Sequence, residues 1–401
     1  MKKRMTLLLL VVCFLFSSVS ADAYDAAAVL PENLTTIESR AFEGTDIREL
    51  RIPQSVTQIA DDAFEGLPED FTAIVDENSY ADFWCAEHGV RALRICSLGV
   101  TYHSQDEIRE YVSSHPSDRY FSTGYRLKPS VSEPYSYGLL SDETISNTFN
   151  MLNQCRFIAG LDADVVNDTE YEKLVNAAAL VNALNDSLTH YPERPDQLSD
   201  AKYDELYQQG ATGARSSNLS AGMWALPNSV LRYLDDSDAG NIKTVGHRRW
   251  VLNPRMGKTA FGYCQSPNAK SVYRVYSGMY AFDRSGSGNQ KPVAWPAQEM
   301  PLDYIYSNQQ LVWSVSFGRV LSESDISVSL TRQKDGRVWH FSSEASDGDF
   351  YVNNGGFGLQ GCVIFRPAGN ISYSDGDDFQ VEIVDYDAMR VLNYTVRFFK
   401  L

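Results

Sequence analysis

The chain has 401 residues, of which 43% are hydrophobic and 22% are charged, and its formal net charge at pH 7 is −17. A chain of this length can form two or three domains with cores of their own. The strong negative charge argues against binding to nucleic acid and to anionic membrane surfaces, because both repel an acidic protein.

The N-terminus predicts a signal peptide over residues 1–23. Residues 1–4 are basic at three positions, residues 7–16 are apolar, and residues 17–23 are rich in small side chains, which are the three parts of a secretory signal. Cleavage is expected after Ala21 or Ala23. The apolar run is too short for a good membrane span, and no other run approaches the required length. We therefore expect a mature chain without a transmembrane segment, located in the extracellular space or at the cell surface.

Cysteine usage does not indicate a disulfide-rich fold. Removal of the signal leaves five cysteines, widely spaced along the chain: Cys85, Cys96, Cys155, Cys264 and Cys362. An odd number means that at least one is unpaired within the chain. Cys85 and Cys96 are the only close pair, and the sequence leaves open whether they form a bridge or remain two thiols. Motifs of the CxxC, HExxH and glycine-rich phosphate-loop types are missing from the sequence.

A repeat with a period of 22 residues follows the signal. Leu-Pro at 30–31 aligns with Ile-Pro at 52–53, and Ala-Phe-Glu-Gly at 41–44 aligns with the same four residues at 63–66. This region resembles the BspA-like leucine-rich repeats of bacterial surface proteins, and residues 79–90 resemble the helical tail of such arrays. We assign residues 24–96 to this module. Two repeats are few for independent stability, so the array is expected to lean on its neighbour, either as a spacer or as a binding module.

Residues 97–140 are predicted to connect this module to the next. Ser104 is a suitable N-cap for a short helix that runs through Val112. The segment 117–140 is rich in Tyr, Ser and Pro, which indicates an extended connector packed through its aromatic rings.

The middle of the chain shows three helical patterns. Apolar spacing predicts a helix over 142–159 between the N-cap Ser141 and Gly160, and a second from Thr169 ending near His190. A third is predicted over 227–234 with a proline at its start. Residues 245–262 alternate as a strand does. Together these patterns predict helices packed on a small sheet.

The last hundred residues change to strand-like alternation. The predicted strands cover 311–317, 326–330, 338–341 and 380–399, and Asp335-Gly336 is a hairpin turn signal. Short strands divided by Gly, Asp and Asn turns predict a small β-sandwich over 290–401.

Three short motifs carry a family resemblance. They are His-Tyr-Pro at 190–192, Ser-Asn-Leu at 217–219 and Gly-His-Arg-Arg-Trp-Val-Leu-Asn-Pro at 246–254. With them, residues 141–265 resemble a CAP domain of the bacterial secreted type, from the superfamily of cysteine-rich secretory, antigen-5 and pathogenesis-related proteins. The resemblance implies an α-β-α sandwich in which His190 and His247 share a cavity. The whole chain is then a multidomain α+β protein: leucine-rich repeats, CAP domain and C-terminal β-sandwich.

The sequence departs from the family at one cavity acid. Many CAP domains carry an acid before the asparagine that matches Asn218, where this chain has Ser217. The second acid is expected before His247, at Asp235 or Asp236. The implied cavity residues are therefore His190, Ser217, Asn218, Asp236 and His247.

The neighbours of His247 have plainer interpretations. Arg248 and Arg249 are predicted either to pair with acids of the 235–238 run or to bind an anion, and Trp250 to lie in the core. The acidic run itself lacks the ligand spacing of a calcium loop and is interpreted as a solvated turn.

The leading functional hypothesis is a secreted, non-enzymatic protein that binds an extracellular protein, glycan or small lipid-like ligand, with no catalytic residue assigned. The alternative is a metal-assisted hydrolase of the cell envelope, in which His190 and His247 hold a divalent metal and Asp236 is ligand or base. A third possibility is a purely structural surface protein with a vestigial cavity. No cofactor is certain from the sequence, and a divalent metal in the cavity is the one candidate.

Overall fold

The computed structural model describes residues 28–268, 270–307 and 310–401, so the predicted signal peptide lies outside the described residues. The described chain divides into two compact units. The first contains residues up to Ser97 together with Val384–Asn393, and the second contains Leu98–Ile383 and Tyr394–Leu401. The predicted boundary between 265 and 290 falls inside the second unit. None of the helices in the described part of the chain combines the length and apolar character needed to cross a membrane.

The first unit is a short solenoid. Its elements are β1 (Ala28–Val29), β2 (Thr36–Ile37), β3 (Glu49–Ile52), β4 (Gln58–Ile59), β5 (Thr72–Asp76), α1 (Tyr80–His88) and β6 (Ala92–Cys96). β1 pairs with β3 and β2 pairs with β4, both parallel, and Ile37 lies opposite Ile59 one repeat later. The repeated Phe42 and Phe64 stack with ring centroids 5.7 Å apart. These pairings confirm the 22-residue repeat.

Residues from the far end of the chain complete this unit. The last strand of the chain, Arg390–Phe399, adds to the edge of β6 as a parallel neighbour through Arg390–Leu392. Val391 is fully buried in a small cluster with Ile74 and Leu93. The short array therefore gains both an edge strand and apolar cover from the Val384–Asn393 segment.

Helix α1 closes the array as the sequence predicts. The Ser79 hydroxyl accepts a hydrogen bond from the Asp82 N–H at its start, and Gly89 ends it with a φ of 68°, a conformation that glycine adopts without strain. Cys85 is a buried thiol that is not bridged to Cys96, which decides between the two alternatives that the sequence leaves open. Burial raises the pKa of the Cys85 thiol to about 12, which keeps it protonated.

The second unit contains the remaining elements. The helices are α2 (Gln105–Ser114), α3 (Asp142–Ile158), α4 (Thr169–Asn185), α5 (Asp204–Arg215), α6 (Leu226–Asp235) and α7 (Gly246–Val251), with four short 3₁₀ turns at Asp196–Leu198, Ala201–Tyr203, Leu302–Tyr304 and Glu323–Asp325. The strands are β7 (Tyr125–Leu127), β8 (Leu139–Leu140), β9 (Val166–Asn167), β10 (Ser217–Ala221), β11 (Lys258–Thr259), β12 (Phe261–Gln265), β13 (Val275–Tyr280), β14 (Val293–Trp295), β15 (Glu299–Pro301), β16 (Trp313–Ser316), β17 (Ile326–Arg332), β18 (Arg337–Ser342), β19 (Gly348–Asn353), β20 (Cys362–Pro367), β21 (Asp378–Asp385) and β22 (Arg390–Phe399).

Most predicted helices form where their caps indicate. α2 begins with a capping box between Ser104 and Glu107, α3 begins at the Ser141 cap, and α6 carries its proline in the first turn. α4 ends at Asn185, so His190 lies in the loop that follows and not on the helix.

A three-stranded antiparallel sheet in the order β10-β13-β12 forms the centre of the helical region. α4 packs on β12 and β13, and α5 packs on α4. Two glycines permit this close approach: a Cβ at Gly213 would lie 2.0 Å from the Leu174 carbonyl oxygen, and one at Gly262 would lie 2.4 Å from the Val175 carbonyl. α4 therefore packs closely against α5 on one side and against the sheet on the other, with the backbones in direct contact.

The strand prediction for 245–262 is wrong over its first half. Val245 adopts a left-handed conformation with φ 40°, and α7 begins at the next residue. Arg248 and Arg249 are then buried and bonded to carbonyl oxygens of distant segments. These tertiary bonds override the local alternation, and strand structure begins only at β11.

The C-terminal strands form two sheets joined by aromatic side chains. One sheet has the order β14-β16-β20-β19, and within this unit the other runs β22-β21-β17-β18. Trp313 of the first sheet contacts Phe379 and Phe398 of the second, with ring centroids 5.7 and 6.0 Å away. β17 and β18 form the hairpin predicted at Asp335-Gly336, where Gly336 has a φ of 68°.

Candidate functional site

A cavity of about 450 Å³ opens in the helical region of the second unit. It is lined by the loop after α4, by β10 and α6, and by the segment that leads from α6 to α7. His190, Asp236 and His247 all line it. The structure thus brings together three of the five residues that the sequence places in a cavity.

Asp236 and His247 form a buried pair. The His247 Nδ1 lies 2.8 Å from Asp236 Oδ1, and Asp236 Oδ2 accepts a hydrogen bond from the Arg248 N–H at 3.1 Å. Asp236 follows the last residue of α6 in a left-handed conformation with φ 43°, which turns its carboxylate toward the start of α7. Only 2% of its side chain is exposed.

This pairing controls the protonation of His247. Burial by itself lowers the pKa of His247, but the hydrogen bond and the charge of Asp236, helped by the charge of Asp238, outweigh burial and leave the pKa above its usual value. The Tyr233 ring stacks on the imidazole with centroids 5.5 Å apart, and burial raises the pKa of the Tyr233 phenol. The pair is therefore packed on one side by an aromatic ring that stays uncharged.

His190 reaches the cavity from an exposed position in the loop after α4. Its Nδ1 lies 2.8 Å from the Ala214 carbonyl oxygen at the end of α5. Only a protonated nitrogen can donate to a carbonyl, so in the neutral ring Nε2 is the acceptor. His247 has the same pattern, because its Nδ1 donates to Asp236.

Ser217 and Asn218 lie on β10 but outside the residues that line the cavity. The Asn218 side-chain amide donates to the His247 backbone carbonyl oxygen at 3.0 Å, and the Asn218 backbone carbonyl oxygen accepts from the Tyr233 hydroxyl at 3.2 Å. Asn218 therefore forms hydrogen bonds with both His247 and Tyr233, the two residues whose rings stack beside Asp236. The Ser217 hydroxyl is buried and has no hydrogen-bond partner among the described residues.

The sequence does not place Arg232, Asp238 and Asn241 at the cavity, although all three line it. Arg232 pairs with Asp238 at 3.0 Å and with the buried Asp235. Burial by itself raises the pKa of Asp238, but hydrogen bonds from Asn241 and the Gly240 N–H, with the charge of Arg232, lower it overall. The spacing of Arg232 and Asp235, three residues apart on one helix, was the available signal.

The acidic run and the two arginines differ from their predicted roles. Asp235 and Asp236 are buried, so the run is not a solvated turn. Arg248 donates to the Leu234, Asp235 and Val312 carbonyl oxygens, whereas the ion pairs given for Asp235 and Asp238 are with Arg232.

Arg249 is engaged in the same way. It donates to the Gly355 and Leu359 carbonyl oxygens, so neither arginine offers its side chain to an anion. Trp250 is buried against Phe282, with centroids 5.0 Å apart, as expected of a core residue.

The donor set does not fit a metal ion. Within 28–268, 270–307 and 310–401, no three His, Cys, Asp or Glu side chains are grouped so that they could hold one. His190 and His247 supply two imidazole nitrogens, whereas zinc sites take three or four protein ligands. We therefore derive no chemical step through a metal.

One comparison with known families gives a match. Residues 25–69 match the model of the BspA type leucine-rich repeat region (6 copies). This confirms the leucine-rich-repeat part of the chain, and such repeats are typical of bacterial surface or secreted proteins. No curated protein matches the chain.

Proposed function

We propose that the protein acts outside the cell as a non-enzymatic binding protein, in which a CAP-type domain holds a small extracellular ligand and the leucine-rich repeats serve as an interaction module. The observation that carries the proposal is the cavity of about 450 Å³ lined by His190, Asp236 and His247. A volume of this size suits a small organic ligand.

The arrangement around the cavity supports a CAP-type domain. The motif residues at 190 and 246–247 come from separate segments and meet at one cavity, as the family resemblance implies. The central sheet β10-β13-β12 carries α4 and α5, and α6 contacts β10 through the Tyr233 hydroxyl. These contacts agree with helices packed around a small sheet.

The chemistry of the lining favours binding over catalysis. The charged groups are already engaged with one another: Asp236 with His247, and Asp238 with Arg232. The residue in the position of the usual family acid, Ser217, does not line the cavity. A fixed set of paired charges can position a ligand, but it lacks the third metal donor that the hydrolase alternative needs.

Saturation-transfer NMR of the full mature chain with a library of small polar and apolar fragments tests the proposal. We expect several fragments to bind, and we expect binding to be lost in Met223→Trp, which fills the cavity from a half-buried position. Binding that Met223→Trp leaves unchanged contradicts the proposal.

The hydrolase alternative makes a different prediction. Peptide, glycan and ester substrates are incubated with the same preparation with and without added divalent metal. Hydrolysis that disappears in both His190→Ala and His247→Ala would overturn the non-enzymatic proposal. If no fragment binds and no substrate is cleaved, the cavity is vestigial and the structural alternative stands.

A further inference from the structure

The chemistry of the cavity and of its rim narrows the ligand to one class. Building on the proposed function, we infer that the cavity binds a neutral carbohydrate chain, which stacks on exposed aromatic rings at the rim and places its hydroxyl groups among the polar side chains inside. Three observations lead to this class: the polar side chains of the lining, the pairing of its charged groups, and exposed aromatic residues at or next to it.

Most of the residues that line the cavity carry a polar side-chain group. Of its fourteen residues, only Leu188, Leu219, Ala221 and Met223 lack a side-chain group that forms ordinary hydrogen bonds. An apolar ligand would take the other groups out of water without replacing their hydrogen bonds, which costs free energy at each group. A polyhydroxylated ligand avoids this cost, because each hydroxyl both donates and accepts.

The charged side chains at the cavity are engaged with one another. Arg232 lies between Asp235 and Asp238, and Asp236 is paired with His247. An anionic ligand would have to displace Asp236 or Asp238 from its partner, and a cationic ligand would face Arg232. Because each of these charged groups already has a partner, we expect an uncharged ligand with many hydrogen-bonding groups.

Three exposed aromatic residues either line the cavity or directly follow a lining residue in the chain. Tyr273 lines the cavity and is 49% exposed. Trp224, 54% exposed, directly follows the lining residue Met223, and Tyr191, 77% exposed, directly follows His190. Large aromatic side chains usually bury most of their surface. Rings of this kind pack well on the C–H faces of pyranose sugars while the sugar hydroxyls bond at the ring edges.

Hydrogen bonds hold the three segments that carry these aromatic residues. The Trp224 carbonyl oxygen accepts from the Thr123 hydroxyl at 3.1 Å, and the Tyr191 N–H donates to the Thr189 hydroxyl at 3.1 Å. Tyr276 follows Tyr273 closely in the chain, and its hydroxyl donates to the Asp186 carboxylate at 2.8 Å. The Tyr273 segment is thus tied to the end of α4, the Trp224 segment to the connector at Thr123, and the Tyr191 turn to its own loop. Binding residues are commonly carried by loops.

Isothermal titration calorimetry of the full mature chain with chitotetraose, cellotetraose and maltotetraose tests the inference. We expect saturable binding of at least one tetrasaccharide, and a roughly tenfold loss of affinity in Trp224→Ala, as for removal of one stacked ring. Phe83→Ala is the matched control, because Phe83 is 63% exposed and lies in the other unit. Tyr273→Leu is a second rim variant, which guards against a folding defect in the first.

The outcomes separate this inference from the proposed function. If none of the three sugars binds at millimolar concentration, or if Phe83→Ala weakens binding as much as Trp224→Ala does, the carbohydrate assignment is overturned. Oleate is titrated in parallel, and binding of oleate that the rim variants abolish also overturns it. In each of these cases the binding function survives if fragments still bind in a way that Met223→Trp prevents.

Discussion

Replacement of Asp236 by Asn removes one charge from the cavity and almost nothing else. Asp236 has a φ of 43°, and Asn tolerates this left-handed conformation as well as Asp does. The variant keeps the shape of the side chain but loses the charge-assisted hydrogen bond to His247 Nδ1, which spans 2.8 Å. Hydrogen bonds to charged groups are worth about 1.5–3 kcal/mol. We expect the free energy of unfolding of the second unit to fall by about that amount at pH 6.

The pH dependence gives the sharper test. The folded-state pKa of His247 is raised, so its stabilising effect is complete below the unfolded-state pKa of about 6.5 and is lost as pH rises through the folded value. In Asp236→Asn, burial is left as the largest influence and lowers the pKa, so the variant gains stability as pH rises. The two stability curves should therefore converge toward alkaline pH.

Proton NMR titration of the imidazole Cε1–H, together with urea unfolding followed by near-UV circular dichroism, measures both effects. Asp61→Asn is the matched control, because Asp61 pairs with His88 at 3.4 Å but its side chain is 96% exposed. An exposed pair of this kind contributes little. Parallel stability curves for wild type and Asp236→Asn, or an unchanged pKa of His247, would refute the reasoning.

Three further predictions concern the fold and the metal. Val391→Ala should destabilise the first unit by about 2 kcal/mol, from lost apolar burial and a residual cavity; hydrogen exchange of the β5 and β6 amides measures this, and unchanged protection would contradict it. Gly213→Ala should lower the free energy of unfolding by about 2 kcal/mol or more, because the added methyl group overpacks α5 on α4. Gly356→Ala is the control, because a Cβ there meets nothing within 4 Å, and it should change the unfolding midpoint little. Equal effects of the two variants would show that the close helix contact is unimportant. Zinc should not raise the melting temperature of the full chain, because His190 and His247 lack a third donor; a stoichiometric shift that is lost in the His247→Ala variant would show otherwise.

The sequence predicts those elements whose signals are local. Short sequence signals predict the 22-residue repeat, the helix that begins after Ser141, and the hairpin turn at Asp335-Gly336. α5 is missed for a physical reason: it packs on α4 through the small residues Gly210, Ala211, Gly213 and Ala214. A face without large apolar side chains has no visible periodicity.

The site shows the same limit. The motifs indicate His190 and His247, but the pairing of Asp236 with His247 depends on a left-handed residue at the end of α6 that the sequence does not mark. The burial of Arg248 depends on hydrogen bonds to the Val312 carbonyl oxygen and to the Ser314 hydroxyl of β16, more than sixty positions away. Such partners are set by tertiary structure, so local pattern alone cannot assign them.

The parallel pairing of the last strand with β6 has a consequence for the order of assembly. The repeat module is synthesised well before Arg390–Leu392, which supply its edge strand, and before Val391, whose side chain covers it. Until synthesis reaches that strand, Leu93 and Ile74 remain without their cover, and an exposed parallel edge invites pairing with other chains. The module is thus completed only when residues 384–393 have been made, and a chain truncated before them would leave the edge of β6 unpaired.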